Sequence, residues 1–162
     1  MDKSTARGAG RITRDALAKR GANICIVDTK NEKSVDAAFR GVNRVILLSP
    51  QLVNPLDSPP TPPDYGDVIT AESAIVAGIK RASSNIKSLV RVSLISAFSN
   101  SAVALLSAHG KCDSLLVNAN VPYAILQCGI FMQYIAFLHR EIKSQNQLFG
   151  ASGGGQRYGM VD

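Results

Sequence analysis

Four short apolar segments alternate with helical patterns, and this alternation constrains the fold more than any other feature. The segments are NICIVD at Asn23–Asp28, RVILL at Arg44–Leu48, SLVRVSLI at Ser88–Ile95 and PYAILQC at Pro122–Cys128. Their length and β-branched content predict strands, and Arg44–Leu48 is apolar enough to be buried on both faces of a sheet. Strands that alternate with helices predict βαβ units, a parallel sheet and helices on both sides of it. The expected fold class is α/β, in one domain of 162 residues.

Between these segments, apolar residues recur at the three- and four-residue spacing of one helix face. The predicted helices are Glu32–Arg40, closed by Gly41, then Asp67–Ala82, Ser101–Asn118 with an interruption at Gly110, and a last helix that ends near Ile142. Six of the seven prolines stand between Pro50 and Pro63. Proline cannot donate to a strand ladder and breaks helix interiors, so residues 50–66 are predicted to form a surface loop.

The net charge of +6 is concentrated at the amino end. Residues 1–22 hold six basic and two acidic groups, a balance of +4, which leaves +2 for the other 140 residues. This pattern predicts a basic N-terminal helical segment, 1–22, ahead of a body at 23–162. A solvated helix face explains the charge better than a nucleic-acid arm, because acids interrupt the basic groups and the segment has no aromatic side chain for base stacking.

The remaining composition points to a cytoplasmic protein without a membrane contact. Cys25, Cys112 and Cys128 are odd in number and lack Cys-x-x-Cys spacing, so neither a disulfide scaffold nor a cysteine-rich zinc site is predicted. No apolar run approaches the roughly 18 residues of a membrane span. The amino end lacks the apolar core of a secretory signal. No cluster of histidine and carboxylate residues has metal-ligand spacing, so no metal is expected.

Six short segments carry motifs in a defined order. They are GANICIVD (21–28), SVDAAFRGVNRVILLSP (34–50), LVRVSLISA (89–97), HGKCDSLL (109–116), VPYAILQCGIFMQY (121–134) and GGGQRYGMVD (153–162). In this order they resemble the NmrA-like family of atypical short-chain dehydrogenases/reductases, over about residues 20–162. The resemblance implies a Rossmann-like three-layer fold with a mostly parallel sheet, and NADP or NAD as the cofactor.

The resemblance also implies a function. Members of that family bind NADP(H) or NAD(H), and some reduce carbonyl or quinone substrates. Others have lost catalysis and act as redox-sensing partners of transcription factors. For this chain the implied ancestral activity is an NAD(P)H-dependent oxidoreductase of a small-molecule substrate. The alternative is a non-catalytic redox-sensing or regulatory interaction module that binds a protein partner.

The amino end departs from the family pattern. The family opens with a strand, a G-x-x-G-x-x-G loop and a helix that holds the pyrophosphate. This chain has only G-x-G at residues 8–10, after MDKSTAR, which cannot form a buried strand. Residues 1–22 then align with the helix before the third strand, and the first two strands are expected to be missing. We therefore expect an incomplete, truncated domain with weak or no catalysis, in which Asn23–Asp28 has lost its neighbouring strand.

The candidate site follows from the resemblance and from the ends of the strands, because ligands of parallel sheets bind beyond the carboxyl ends. The predicted cofactor-binding residues are Asp28, Thr29, Ser49, Pro50, Ser93, Lys111, Gly129, Ile130 and Phe131. In the family, the lysine of Y-x-x-x-K binds the ribose and lowers the tyrosine pKa. Lys111 aligns with that lysine, but Ser107 stands in place of the tyrosine. The catalytic candidates are therefore Lys111 and, as an alternative acid, His109.

Each candidate also has a structural interpretation. Asp28 could bind the adenine amine or cap the loop into the next helix. Lys111 and His109 could be ordinary surface side chains. Gly129–Phe131 could wall the nicotinamide pocket or belong to the hydrophobic core. Cys128 has no base at catalytic spacing, which favours a buried thiol.

Overall fold

A computed structural model describes residues 8–49, 65–131, 142–146 and 160–161. The elements, in chain order, are α1 (Gly8–Lys19), α2 (Glu32–Ala38), β1 (Arg44–Leu48), α3 (Tyr65–Arg81), β2 (Ser88–Leu94), α4 (Ala104–Leu116), β3 (Tyr123–Cys128), β4 (Ile130–Phe131) and β5 (Met160–Val161). Pro50, most of the predicted 50–66 loop and most of the predicted last helix lie outside the described residues.

The strands form two parallel sheets. One has three strands in the order β1-β2-β3, and the other pairs β4 with β5. In the larger sheet Leu47 pairs with Arg91, which in turn pairs with Ile125. Helices α3 and α4 connect its strands in succession. The predicted α/β class is confirmed, and the architecture is that of a partial Rossmann-like fold.

The core lies between one face of the larger sheet and helices α3 and α4. The buried apolar side chains that meet there are Leu47, Val76, Ile79, Ile86, Leu89, Leu116, Ala119 and Val121. Along β2 the buried positions alternate, because successive side chains of a strand point to opposite faces. In α3, Asp67 lies in the first turn and Lys80 and Arg81 in the last, which complements the helix dipole.

The connection into β1 is built from local caps. The Asn31 side chain accepts hydrogen bonds from the backbone of Lys33 and Ser34 and caps α2. Gly41 has φ +74°, in the left-handed region that favours glycine, and it closes this helical segment as predicted. Arg81 of α3 forms an ion pair with Asp36 of α2 at 2.7 Å. These contacts hold α2 against α3 and direct the chain into the sheet.

The second face of the larger sheet differs from the prediction. Arg44–Leu48 was expected to be buried on both faces, and this is wrong. The side chains of Ile46 and Leu48 are 72% and 63% exposed, and Leu126 on β3 is 55% exposed. Within the ranges that the structure describes, α3 and α4 pack on the other face, which leaves this one uncovered.

Asn23–Asp28 is also not a strand. Residues 22–28 have no ladder partner, and Ile24 and Ile26 are exposed. The reason is physical: a strand is stabilised by a neighbour that satisfies its backbone groups, and the ladder partner of β1 is β2. Gly110 differs as well, since it lies inside α4 without interrupting it.

None of the described helices combines the length and hydropathy needed to cross a bilayer.

Candidate functional site

The carboxyl ends of β1, β2 and β3 lie side by side, because the three strands are parallel and adjacent. Ser49 follows β1, Ile95 and Ser96 follow β2, and Gly129 follows β3. The backbone amide of Ile95 donates to the carbonyl of Cys128 at 2.9 Å, which joins the ends of β2 and β3. This edge of the sheet is where doubly wound folds bind their ligands.

Ser96 stands at this edge in a strained conformation. Its φ is +62°, in the left-handed region that costs a non-glycine residue roughly 1–2 kcal/mol. Such strain persists only where surrounding contacts impose it, and it clusters at functional sites. The turn after the central strand is therefore held in one shape by its surroundings.

Beneath this edge lies a buried ionic cluster, which we call the Arg91 network. Arg91 on β2 forms ion pairs with Glu72 of α3, through Nε and Oε1, and with Asp113 of α4, through Nη1 and Oδ1. Its Nη2 donates to Ser49 Oγ at 2.9 Å, and that hydroxyl donates to Glu72 Oε2 at 2.7 Å. Ser93 Oγ donates to Asp113 Oδ2 at 2.8 Å. The network ties both helices to the carboxyl ends of β1 and β2.

Charge balance explains why the guanidinium of Arg91 stays protonated although it is buried. Burial alone would lower the pKa of Arg91, but the hydrogen bond and charge of Glu72, with the charge of Asp113, outweigh burial and raise that pKa. The guanidinium is therefore a permanent cation between two carboxylates. Removing any one member of these ion pairs would leave an uncompensated charge buried away from water. This would destabilise the fold far more than the loss of a surface ion pair.

Two further titratable groups of α4 lie close to the network, and both are neutral. Burial, and then the charge of Arg91, lower the pKa of His109. The Nδ1 atom of His109 is buried and has no hydrogen-bond partner among the described residues. Cys112 is fully buried, and burial followed by the charge of Glu72 raises its pKa to about 12. At neutral pH the imidazole is unprotonated and the thiol is not a nucleophile.

The lowered pKa of His109 predicts a pH dependence of stability. In the unfolded chain a histidine titrates near pKa ~6.5. Because the folded pKa is lower, the unfolded state binds more protons, and the free energy of unfolding falls as pH decreases through about 6.5. We expect His109→Gln to remove this part of the slope. The midpoints of urea denaturation at pH 8, 7, 6 and 5 measure this slope. The second histidine of the chain contributes equally to the slope of the unmodified protein and to that of the variant. Identical slopes in the two proteins would contradict the assignment.

The structure brings some of the predicted site residues together. Ser49 and Ser93 both lie at the carboxyl end of the sheet, but their hydroxyls bond inside the Arg91 network. Gly129 lies beside them at the end of β3 and is half-buried. Lys111 is exposed on α4, next to the buried Cys112. The hydroxyls of Ser49 and Ser93 are thus engaged in the network, and Ser93 is fully buried.

The other predicted residues lie elsewhere. Asp28 is exposed, and its Oδ1 accepts the backbone amide of Lys30 at 2.9 Å, so this side chain caps the turn before α2. Thr29 follows in the same turn. The backbones of Ile130 and Phe131 form β4 and pair with β5. Pro50 lies outside the described residues.

Ser107, which aligns with the tyrosine of the Y-x-x-x-K motif, has a structural role. The Ser107 hydroxyl donates to the carbonyl of Ser99 at 2.8 Å. Close by, a Cβ placed on Gly110 would lie 2.3 Å from the carbonyl carbon of Phe98 and 2.4 Å from the amide nitrogen of Ser99. Helix α4 therefore lies directly against the loop after β2, and Ser107 serves to hold that loop.

The sequence reasoning missed Glu72, Arg91 and Asp113, although a signal was present. Glu72 stands four residues after Val68 and four before Val76, so it shares the buried face of α3. Arg91 alternates with apolar residues in the middle of a strand. Charged residues are rarely buried unless they are paired, so opposite charges on inward faces predict an ionic network.

The parallel strands, their helical connections and the polar carboxyl edge define a Rossmann-like α/β domain. No family model matches the sequence, and no curated protein does. Among solved structures the chain is similar to triphenylmethane reductase of Citrobacter sp. complexed with NADP(H), with TM-score 0.62 and 18% identity over 84% of this chain and 43% of that one. A second structure of that reductase is similar with TM-score 0.63 and 19% identity, over 83% of this chain and 43% of that one.

A nucleoside-diphosphate-sugar epimerase of Staphylococcus aureus is also similar, with TM-score 0.63 and 17% identity over 89% of this chain and 55% of that one. The chain therefore spans about half the length of these proteins. The likeness confirms the Rossmann-like fold that the sequence predicts.

Proposed function

We propose that this chain is an NmrA-like dinucleotide-binding domain that takes NADP or NAD across the carboxyl ends of β1, β2 and β3. The observation that carries the proposal is the alignment of Ser49, Ser96 and Gly129 at three adjacent parallel strand ends. The similarity to a reductase complexed with NADP(H) supports it. The reaction implied for the ancestral protein is transfer of hydride to a carbonyl or quinone substrate, a step whose chemistry the dinucleotide supplies.

The residues present fit a ring and ribose of such a cofactor better than they fit its pyrophosphate. Gly129 has no side chain to obstruct a ring or ribose at the end of β3, and the ammonium of the exposed Lys111 could meet ribose hydroxyls. In the part of the chain that the structure describes, Gly8 and Gly10 belong to helix α1 and form no phosphate loop. In Rossmann folds such a loop and its helix supply most of the pyrophosphate contacts, and Gly8 and Gly10 do not provide one.

We also propose that catalysis is weak or absent. The hydroxyl of Ser107 is bonded to Ser99, His109 is neutral, and Cys112 is a protonated thiol. None of the three is poised to give a proton to a substrate at neutral pH. The uncovered apolar face of the sheet favours a second candidate function, a non-catalytic regulatory module that acts through a protein contact.

A titration with NADPH, followed by thermal shift, tests dinucleotide binding. We expect a saturable increase in Tm and expect Gly129→Glu to abolish it, because the substitution adds bulk and a negative charge where the cofactor would lie. Pro122→Glu is the matched control: it adds the same charge at the amino end of the same strand, and its titration should equal that of the unmodified chain. No saturable response, or an equal loss in both variants, would remove the proposal.

A further inference from the structure

His109 stands on α4 at the level of the strand ends. Helix α4 connects β2 to β3, so it begins at the carboxyl edge of the sheet and runs back toward the amino edge. Asp113 of this helix accepts a hydrogen bond from Ser93, near the end of β2. His109 precedes Asp113 by four residues, which places it on the same face and about 6 Å nearer the carboxyl edge. The close approach of Gly110 to Phe98, in the loop after β2, agrees with this position.

The two ring nitrogens of His109 have different surroundings. The residue is half-buried, and Nδ1 is enclosed without a hydrogen-bond partner among the described residues. Nε2 is not enclosed in this way, so it is the nitrogen that the ring presents outward. Burial and the charge of Arg91 lower the pKa of His109, so at neutral pH the ring carries a single hydrogen. The surroundings decide which of the two nitrogens holds it.

The charged groups around the ring favour an Nδ1 without hydrogen. These groups are Arg91 of β2, Glu72 of α3 and Asp113 of α4, and Arg91 influences the ring more than either carboxylate does. A neighbouring cation favours the unprotonated form of a nitrogen. Each carboxylate oxygen already accepts a hydrogen bond from Arg91 or from a serine, and Nδ1 donates to none of them. The hydrogen therefore belongs on Nε2, on the outward side.

We propose that His109 is a neutral hydrogen-bond donor of the dinucleotide site, with its hydrogen on Nε2 and none on Nδ1. This role rests on the proposed function, because the acceptor is an oxygen of the dinucleotide bound at the carboxyl edge. Donating a hydrogen bond transfers no proton, so the role is compatible with weak or absent catalysis. The Arg91 network then acts on the site indirectly, by fixing the tautomer of the ring that meets the ligand.

Long-range ¹H–¹⁵N NMR spectra of the imidazole nitrogens at pH 8 test the tautomer. The chain has two histidines, and His139→Gln leaves the signals of His109 alone. We expect Nδ1 to show the chemical shift of a nitrogen without hydrogen, and Nε2 that of a nitrogen with hydrogen. A hydrogen on Nδ1, or similar averaged shifts for the two nitrogens, would overturn the proposal.

The same spectra, recorded during a titration with NADPH, test the contact with the ligand. We expect the Nε2 signal to move saturably. His109→Leu removes the donor and should raise the Kd for NADPH about three- to tenfold, which corresponds to one hydrogen bond. His109→Gln is the matched control, because its amide keeps a donor, and its Kd should stay within about twofold of that of the unmodified chain.

The outcomes separate the donor role from the proposed function. If the unmodified chain does not bind NADPH, both are wrong. If it binds NADPH while Nε2 does not move, or if His109→Leu binds as tightly, the donor role is wrong and the proposed function stands. The Nε2 signal of the unmodified ring decides the question if His109→Leu does not fold.

Discussion

Replacing Arg91 with methionine is expected to lower the free energy of unfolding by about 3–5 kcal/mol, the cost of breaking a buried ion pair from one side. Methionine has a similar length, so the volume of the core changes little. The substitution leaves Glu72 and Asp113 buried without their cation, and their oxygens lose the donors Nε and Nη1. Urea denaturation followed by circular dichroism measures the loss, provided that the slope of the unfolding free energy against urea concentration is the same in both proteins.

Arg81→Met is the control for the Arg91 substitution. Arg81 also contacts two carboxylates, Asp36 and Glu32, but its side chain is 38% exposed and solvent screens the pairs. We expect a much smaller loss of stability. Adding Glu72→Gln to the Arg91→Met variant should recover part of the loss, because it removes one of the unpaired charges. Equal losses for the two arginines would show that burial does not set the strength of the Arg91 network.

Gly110→Ala is expected to destabilise the protein by about 1–3 kcal/mol or more, the cost of overpacking. In an unobstructed helix the same change would stabilise by about 0.8–1 kcal/mol, so the sign is reversed. The reason is the 2.3 Å approach of the new Cβ to the backbone of Phe98. Backbone atoms cannot rotate away, so either α4 or the loop after β2 must move. Thermal and urea unfolding of the variant measure the effect.

The loss of stability caused by Gly110→Ala can be compared with the loss caused by Gly78→Ala. There a new Cβ would meet the Cγ1 methyl of Val35 at 2.5 Å and the ring of Phe39 at 3.1 Å, which are side-chain atoms with some freedom to move. We expect a smaller loss than for Gly110. A Gly110→Ala variant at least as stable as the unmodified chain would contradict the close packing of α4 against the loop after β2.

The three paired strands were predicted almost to the residue. β1 coincides with the predicted Arg44–Leu48, and β2 and β3 each end within one residue of the prediction. Short apolar runs bounded by turn residues are local features, so the sequence suffices to locate them. Asn23–Asp28 has the same local pattern and is not a strand, because pairing depends on a neighbour elsewhere in the sheet. The burial of β1 was overestimated for the same reason: no local pattern shows which face of a strand is covered.

The sequence is sufficient to place Ser49 and Ser93 at strand ends, but it does not show what their hydroxyls bind. Both hydroxyls point into the Arg91 network. Side chains alternate between the two faces along β2, so Ser93 lies on the same face as Arg91, which stands two residues before it. The sequence pattern therefore predicts the direction of the Ser93 side chain. The partners Glu72 and Asp113 come from helices that lie far away in sequence. Only the packing of α3 and α4 on the sheet brings them to Arg91.

The claim that a dinucleotide lies across the strand ends is tested most directly by the NADPH titration observed residue by residue, in ¹⁵N–¹H NMR spectra. The account predicts saturable shifts at the amides of Ser49, Ser96 and Gly129, with the amides at the amino ends of β1, β2 and β3 unmoved. Absence of any saturable shift at those three amides, or shifts that are equally large at the opposite edge of the sheet, would contradict it.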